Sequence, residues 1–292
     1  MFQINQDNNT DDIIIAAIAK YENDYIEEWI QHHLDIGIDK IYIFDDNPEG
    51  YPDMRELPVV KKYLCRKVFF IKSAKKEQYM HLPFYNTFYK THKFKWCFFI
   101  DIDEFIDLNG FDNIKDYICQ DKFSQAEVIL LPWKYYGDND NLSKSDLPVV
   151  ERFKEPAACG KWIEQAENTG FIECKCAVRS GLPAVFVHPH CPWFTDKLVH
   201  TIQTNTGEYF SVGSSVVTMD YSAPFIRHYF TKSAEEFIEK IGRGYADCFR
   251  QRPLDEYFCI NRYTEQKRNA LIDYATSYEE RYQVKINYGI FL

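Results

Sequence analysis

A cluster of acidic side chains follows directly on an apolar run in the first half of the chain. The run from Trp96 to Ile100 ends at Asp101, and Asp103 and Glu104 come immediately after it. Adjacent carboxylates repel one another unless a cation relieves the repulsion, and Mg²⁺ and Mn²⁺ prefer oxygen ligands of this kind. The pattern therefore predicts a divalent-cation site at Asp101 and Asp103. The alternative is that this Asp-x-Asp pair only solvates a turn.

The elements around this cluster predict where it lies. A short apolar run that ends in charge is typical of a buried central strand, and open α/β sheets bind ligands at the carboxyl ends of such strands. The runs 13–19 and 40–44 predict two more strands on either side of a helix, which Asn23 would cap and Gly37 would end. This βαβ unit brings three strand ends to one edge. The predicted buried face of the helix consists of Ile26, Trp29, Ile30, His33 and Leu34.

Later segments are interpreted by the same rules. The sequence predicts strands at 68–71, 127–131 and 225–230, and helices within 75–93 and 111–120. Residues 132–140 are rich in turn formers and predict a long loop. Ser233 and Glu236 have the spacing of a capping box, so a helix is predicted from there to about Gly242. The tail from Leu254 onward has helical spacing.

Four blocks, in this order along the chain, carry a resemblance to a known family. Trp96 with Asp101-Ile102-Asp103-Glu104-Phe105 resembles the metal site of GT-A glycosyltransferases of the family 2-like and family 92-like group. The other blocks are 22–46, 161–190, and 228–237 with Lys240, Arg243 and Gly244. The resemblance implies an α/β fold with a Rossmann-like mixed sheet flanked by helices. The implied domain is 1–245, with a nucleotide-sugar half at about 13–110 and an acceptor half at about 111–245, before a helical C-terminal extension at 246–292.

The resemblance also implies which residues meet the nucleotide. Contacts to it are expected from Ala19, Lys20, Glu22, Asp45, Gln78 and Asp101. Asp45 has the alternative role of a turn acid before Pro48. Lys232 stands beside the amino end of the helix that Ser233 begins, where a diphosphate would be neutralised.

The matched blocks imply further metal ligands, and the loop at 132–140 offers candidates for a catalytic base. His228 and His190 are expected to complete the ligand set of Asp101 and Asp103, although a histidine on an apolar strand is also an ordinary core residue. Block 161–179 is predicted as a basic and then apolar strand that offers Lys161 and Arg179 to phosphate or acceptor. The cluster of Cys174, Cys176, His188 and His190 has a zinc site as its alternative. Asp138 and Asp140 are the candidate bases, with a solvated acidic loop as the alternative.

These residues together predict a metal-dependent transfer of a hexose from a nucleotide sugar, expected to be a UDP-sugar, to a glycan or glycolipid acceptor. Mn²⁺ or Mg²⁺ is the expected cofactor, and inversion and a role in cell-surface polysaccharide synthesis are implied by the resemblance. A metal-dependent phosphoester hydrolase and an inactive module that binds glycan or nucleotide are the alternatives.

Composition limits the partners and the compartment. The formal charge of −10 argues against a nucleic-acid partner. The nine cysteines, in a chain without a recognisable signal peptide or membrane span, indicate reduced thiols. The expected location is the cytoplasm, and the alternative is that the protein is attached peripherally to the inner face of the membrane.

Overall fold

A computed structural model describes residues 12–72, 80–196, 198, 200–210, 214–244 and 251–289. The chain divides into two compact units. The first unit comprises residues 1–133 and 171–226, and the second comprises 134–170 and 227–292. Gln78, which was predicted to contact the nucleotide, lies outside the described residues. The division into a nucleotide-sugar half at 13–110 and an acceptor half at 111–245 is a statement about binding, and it stays a prediction.

The strands and helices have the following bounds. The strands are β1 (Ile13–Ala19), β2 (Lys40–Asp45), β3 (Val68–Ile71), β4 (Trp96–Phe99), β5 (Glu104–Asp107), β6 (Val128–Tyr135), β7 (Phe171–Val178), β8 (Ala184–Val185), β9 (Trp193–Phe194), β10 (Ile202–Thr204), β11 (Val216–Thr218) and β12 (Phe225–His228). The helices are α1 (Ile26–Asp35), α2 (Pro58–Tyr63), α3 (His81–Thr91), α4 (Ile114–Ile118), α5 (Val149–Arg152), α6 (Lys161–Thr169), α7 (Ala234–Arg243) and α8 (Glu265–Tyr282).

A mixed sheet forms the core of the first unit. Its strands follow the order β3-β2-β1-β4-β7-β6. β1 is parallel to β2 and β4, and β2 is parallel to β3, whereas β7 runs antiparallel to β4 and β6. Because β1, β2 and β4 are parallel, their carboxyl ends share one edge of the sheet. The predicted α/β fold, a mixed sheet flanked by helices, is confirmed.

The apolar runs produce the first elements as predicted. All seven residues of β1 are buried, and the predicted face of α1 is buried throughout. The predicted cap of α1 is wrong, because the residue at the cap position is Tyr25 and no side chain caps the helix. The carbonyl oxygen of Glu22 accepts hydrogen bonds from the amides of Tyr25 and Ile26, which makes a turn before the helix. Asn23 lies in that turn and donates its side-chain amide to the carbonyl of Pro52 at 2.9 Å.

Two later predictions of secondary structure are wrong. β6 continues to Tyr135 through the first part of the predicted loop, because Leu131 and Pro132 pair with Lys175 and Cys174 of β7. The predicted strand at 161–179 is instead α6 followed by β7. Gly170 separates them at a left-handed φ of 72°, a conformation that glycine adopts without steric cost.

The second unit contains the predicted capping box. The Ser233 hydroxyl accepts a hydrogen bond from the amide of Glu236, and the Glu236 carboxylate accepts one from the amide of Ser233. The C-terminal segment is helical, as predicted, in α8 and in a 3₁₀ segment at Leu254–Cys259. α8 packs closely on α7, since a Cβ added at Gly242 would overlap the ring of Tyr278.

Replacing Ser233 by Ala should lower the free energy of unfolding by about 1 kcal/mol, the usual cost of losing an N-cap side chain. Ser233 is fully buried, so water does not replace the lost acceptor. Urea unfolding followed by circular dichroism measures the change. Ser277→Ala, at an exposed position of α8, is the matched control and should stay within about 0.5 kcal/mol of the parent. Equal losses in the two variants would contradict a capping role.

No helix in the described part of the chain is long and apolar enough to cross a membrane.

Candidate active site

The predicted acidic cluster forms a closed turn between β4 and β5. The amide of Glu104 donates to the carbonyl of Asp101 at 3.1 Å, and the amide of Asp101 donates to Glu104 Oε2 at 2.9 Å. β4 ends at Phe99, the register partner of Ala16 in β1. The turn therefore begins near the edge of the sheet where β1 and β2 also end. The sequence thus placed the acids correctly at the carboxyl edge of the sheet.

A buried lysine lies against this turn. Lys175 Nζ donates to Asp101 Oδ2 at 2.8 Å and to the carbonyl of Pro189 at 3.4 Å, and it lies 3.7 Å from Glu104 Oε2. Its side chain is 1% exposed. Burial alone would lower the pKa of this lysine, but the charges of Asp101 and Glu104 raise it above its usual value, so the ammonium stays charged.

The pKa values of two carboxyl groups of the turn are shifted in opposite directions. Burial tends to raise the pKa of Asp101, yet Lys175 and His81 together hold it below its usual value. Burial raises the pKa of Glu104 well above its usual value in spite of Lys175. Asp101 is therefore the anionic partner of the lysine, while Glu104 would ionise more readily if a second cation were present.

Two side chains of α3 complete the buried wall beside Asp101. His81 Nε2 lies 3.4 Å from Asp101 Oδ1, and the His81 ring meets the edge of Tyr85 with 4.5 Å between ring centres. The Tyr85 hydroxyl is buried without a hydrogen-bond partner among the described residues. Burial and the charges of Asp101 and Glu104 raise the pKa of Tyr85 well above its usual value, so it remains a neutral donor.

The residues of the turn fit a hard divalent cation. Asp103 and Glu104 each offer a carboxylate oxygen, and these two oxygens lie within 4.8 Å of one another. Both side chains are buried, and Glu104 Oε1 has no hydrogen-bond partner in the described part of the chain. A buried carboxylate oxygen without a partner is costly, and an oxygen-coordinated cation would satisfy it.

His190 lies in the same unit, near the ion pair. Its Nδ1 donates to the carbonyl of Cys174 at 2.9 Å, which leaves the lone pair on Nε2. Burial, and then the charge of Lys175, lower the pKa of His190 to about 3, so the ring is neutral at physiological pH. A neutral imidazole suits the predicted ligand role, which stays a prediction.

The geometry gives the zinc alternative no support. Burial raises the pKa values of Cys174 and Cys176 well above the usual value, which keeps both thiols protonated. In the described ranges, no group of three ligand atoms within 4.8 Å of one another includes a cysteine.

The predicted nucleotide residues gather at the same edge in the first unit. Ala19 is the register partner of Asp45, and its carbonyl accepts from the amide of Asp46 at 2.9 Å. Asp45 accepts from the amide of Asn47 at 3.2 Å, as a turn acid does, and it pairs with Lys72 at 2.8 Å. Lys20 and Glu22 follow β1 directly, with Glu22 buried. Asp45 thus has its turn role, and its nucleotide role stays a prediction.

Two predicted residues of the second unit are buried near aromatic rings or a helix start. The His228 ring stacks on Tyr135 with 5.4 Å between centres and meets the edge of Phe230 at 5.6 Å. Lys232 is buried and adopts a left-handed φ of 54° directly before the Ser233 cap. The metal role of His228 and the diphosphate role of Lys232 stay predictions.

The two candidate bases are tied to the C-terminal segment. Asp138 is buried, and it accepts hydrogen bonds from the hydroxyl of Tyr257 and from Lys267 Nζ, the latter at 2.8 Å. The Asp140 side chain is 92% exposed and pairs with the same lysine at 2.8 Å. The hydrogen bond from Lys267 lowers the pKa of Asp140. The solvated-loop alternative therefore fits Asp140 and does not fit Asp138.

Sequence reasoning missed Lys175 and Lys267, and it gave Arg179 a different role. Arg179 Nε and Nη2 donate to main-chain carbonyls of Ala126 and Phe123, and its guanidinium lies 4.3 Å from the centre of the Trp96 ring. These contacts join Arg179 to the start of β4 and to the segment before β6. An alternation of polar and apolar residues at 173–177 was the one signal that marked Lys175 as a strand residue.

A buried ion pair in the second unit predicts sensitivity to acid. Arg152 donates to both oxygens of Glu236, at 2.7 and 2.9 Å. Although burial would raise the pKa of Glu236, the bonds from Arg152 and the charge of Lys232 lower it from 4.5 to about 2. The folded-state pKa lies below the unfolded one. The stabilisation is therefore complete above about pH 5 and is lost as the pH falls towards 2.

The wild-type protein should lose about 2 kcal/mol more free energy of unfolding between pH 6 and pH 3 than the Glu236→Gln variant loses. Urea unfolding at both pH values gives this difference. Glu239→Gln, whose carboxylate is 42% exposed on the same helix, is the control and should follow the wild type. An identical pH dependence for Glu236→Gln and the wild type would show that this carboxylate does not drive the loss.

Comparisons with known proteins give a structural similarity. No protein-family model and no curated protein matches the sequence. Among solved structures, S. aureus TarS 1-349 is similar with a TM-score of 0.40 and 13% identity, over 93% of this chain and 73% of that one. The same TarS fragment in complex with UDP-GlcNAc has a TM-score of 0.39 and 14% identity, over 92% and 73%. A longer S. aureus TarS structure has a TM-score of 0.40 and 14% identity, over 92% of this chain and 43% of that one.

Proposed function

We propose that the protein is a metal-dependent glycosyltransferase that moves a hexose from a nucleotide sugar, a UDP-sugar first of all, to a glycan acceptor. The observation that carries this proposal is the acidic turn at the carboxyl edge of the sheet. There, buried oxygens of Asp103 and Glu104 lie within 4.8 Å of one another, beside the charged Lys175. Cations at such an edge are suited to a diphosphate leaving group, whose negative charge grows during transfer.

A bound Mn²⁺ or Mg²⁺ would supply a Lewis acid for the leaving diphosphate. Residues of the chain would bind the nucleotide and accept the proton of the acceptor. In this proposal the ends of β1 and β2, from Ala19 to Glu22 and at Asp45, hold the base and ribose, and Lys232 neutralises phosphate charge. Asp138 and Asp140 stay the two candidate bases for the acceptor's proton, and the lowered pKa of Asp140 makes its exposed carboxylate a weaker base than an unpaired aspartate would be. One displacement from the opposite face would invert the anomeric configuration.

Calorimetric titration with UDP tests the nucleotide edge. We expect UDP to bind at least about tenfold more tightly with Mn²⁺ than without it, since a cation held by the carboxylates would offset the negative charge of the diphosphate. Asp45→Asn should lose about tenfold in UDP affinity with or without the metal, as expected for a charged hydrogen bond. Asp116→Asn, at an exposed position of the same unit, is the control. Absence of UDP binding under both conditions would contradict the proposal.

Product analysis separates transfer from hydrolysis. Incubation of UDP-sugars with Mn²⁺, with and without a panel of glycan acceptors, should give release of UDP that depends on the acceptor. Release of equal size without any acceptor would identify a hydrolase instead. UDP binding without turnover of any donor and acceptor pair would identify an inactive module.

A further inference from the structure

We propose that the divalent cation is bound by Asp103 and Glu104, and that Asp101 is held by Lys175 and does not ligate the cation directly. This inference rests on the proposed function and changes its ligand set. The Asp-x-Asp spacing alone pointed to Asp101 and Asp103, whereas the contacts in the turn point to the second and third acids.

Asp101 already has its cation. Its Oδ2 accepts from Lys175 Nζ at 2.8 Å, and its Oδ1 lies 3.4 Å from His81 Nε2. Lys175 cannot be displaced into water easily, because its side chain is 1% exposed and its ammonium also donates to the Pro189 carbonyl. A divalent ion on Asp101 Oδ2 would have to share that oxygen with the buried ammonium 2.8 Å away, whereas the nearest oxygen of Glu104 is 3.7 Å from the ammonium and is not hydrogen-bonded to it.

Glu104 differs from Asp101 in that it accepts no hydrogen bond from Lys175, whose Nζ lies 3.7 Å from Oε2. In the described part of the chain each side chain has one buried oxygen without a hydrogen-bond partner, Oδ1 of Asp101 and Oε1 of Glu104. Glu104 Oε2 is fixed by the amide of Asp101, which sets the direction of the carboxylate. An oxygen of Asp103 lies within 4.8 Å of an oxygen of Glu104. Oxygens on opposite sides of one Mg²⁺ are about 4 Å apart, so a small side-chain adjustment brings both onto one ion.

The charges of the turn agree with this division. One ammonium and one divalent cation together balance three carboxylates, with Lys175 assigned to Asp101 and the metal to Asp103 and Glu104. Lys175 is a positioning residue in this arrangement, because it fixes Asp101 and the turn. Asp103 and Glu104 are then the carboxylates that bind the metal.

Mn²⁺ binding without nucleotide tests the ligand set. Titration with Mn²⁺, with the free ion followed by electron paramagnetic resonance, should show at least about a tenfold loss of affinity for Glu104→Gln and for Asp103→Asn. Asp101→Asn should lower the affinity clearly less than either of these two changes, because in this proposal it removes no ligand of the ion. A large loss for Asp101→Asn with none for Glu104→Gln would overturn the assignment, as would the absence of Mn²⁺ binding by the wild-type protein.

Removal of the Lys175 ammonium should raise the affinity for Mn²⁺, whereas removal of a ligand carboxylate lowers it. Lys175→Met keeps most of the side-chain volume, removes the repulsion and releases Asp101, so Mn²⁺ should bind several-fold more tightly and raise Tm by more than in the wild type. Lys93→Met, at an exposed position of the same unit, should leave both values unchanged. Weaker Mn²⁺ binding by folded Lys175→Met would overturn the role of Lys175.

A measurement on the unaltered protein covers the case in which a variant does not fold. Crystals soaked in Mn²⁺ and recorded with anomalous scattering should show the ion bonded to Asp103 and Glu104, and an ion bonded to Asp101 would overturn the proposal. Assays of sugar transfer separate this inference from the function. Mn²⁺ held by Glu104 without any transfer would contradict the function alone, and transfer with Mn²⁺ held by Asp101 would contradict the ligand set alone.

Discussion

The Asp103→Asn variant should transfer sugar with a kcat/KM at least about 100-fold below that of the wild type, which is the usual size of effect for a lost electrostatic contact in an active site. The amide keeps the shape of the side chain but removes the charge that would hold the cation on the leaving diphosphate. Initial rates with a UDP-sugar and acceptor, measured over a range of Mn²⁺ concentrations, give the comparison. Part of the loss should be recovered at high Mn²⁺, because the variant binds the ion weakly.

Asp112→Asn is the control for that experiment. Asp112 is exposed, belongs to the same unit and follows Asp103 by nine positions, so its loss of charge should leave kcat/KM within about twofold. Full turnover by Asp103→Asn at limiting Mn²⁺, with an unchanged circular dichroism spectrum, would mean that the acidic turn is not the metal site.

Elements that are governed by local burial could be predicted from the sequence. β1 and β4 are continuous apolar runs because these strands are buried on both faces. α1 shows its buried residues at helical spacing because only one side of the helix is buried. The capping box of α7 was also predictable, since its two hydrogen bonds join residues three positions apart.

Features that depend on pairing between distant strands could not be predicted. β6 runs through Pro132 because β7 lies beside it, and that pairing joins positions more than forty residues apart. The helix α6 was missed because the resemblance suggested a strand there and outweighed the helix-forming residues before Gly170.

The two lysines of the candidate site were missed for the same reason. Lys175 stands 74 positions from Asp101 along the chain, and Lys267 stands 129 positions from Asp138. A lysine within a strand or helix usually points to solvent. Only the register of β7 against β4, and the folding of α8 onto the loop at Asp138, bury these two side chains.

The Lys267→Met variant should lose about 3–5 kcal/mol of its free energy of unfolding, because removing one partner of a buried ion pair leaves the other charge buried and unpaired. The Lys267 side chain is 7% exposed and that of Asp138 is 5% exposed. Urea unfolding at pH 7 measures the loss. Lys154→Met, at an exposed position of the same unit, should change the value by less than about 0.5 kcal/mol.

The double variant Lys267→Met with Asp138→Asn decides whether the unpaired charge causes the loss. The asparagine amide can keep the hydrogen bond from the Tyr257 hydroxyl but carries no charge, so the double variant should be more stable than Lys267→Met alone. A coupling energy above about 1 kcal/mol would confirm direct interaction of the two residues. Additive losses would instead assign the role of Lys267 to the packing of its alkyl chain, and the loop carrying Asp138 and Asp140 would then depend on Tyr257 and Asn261 for its position.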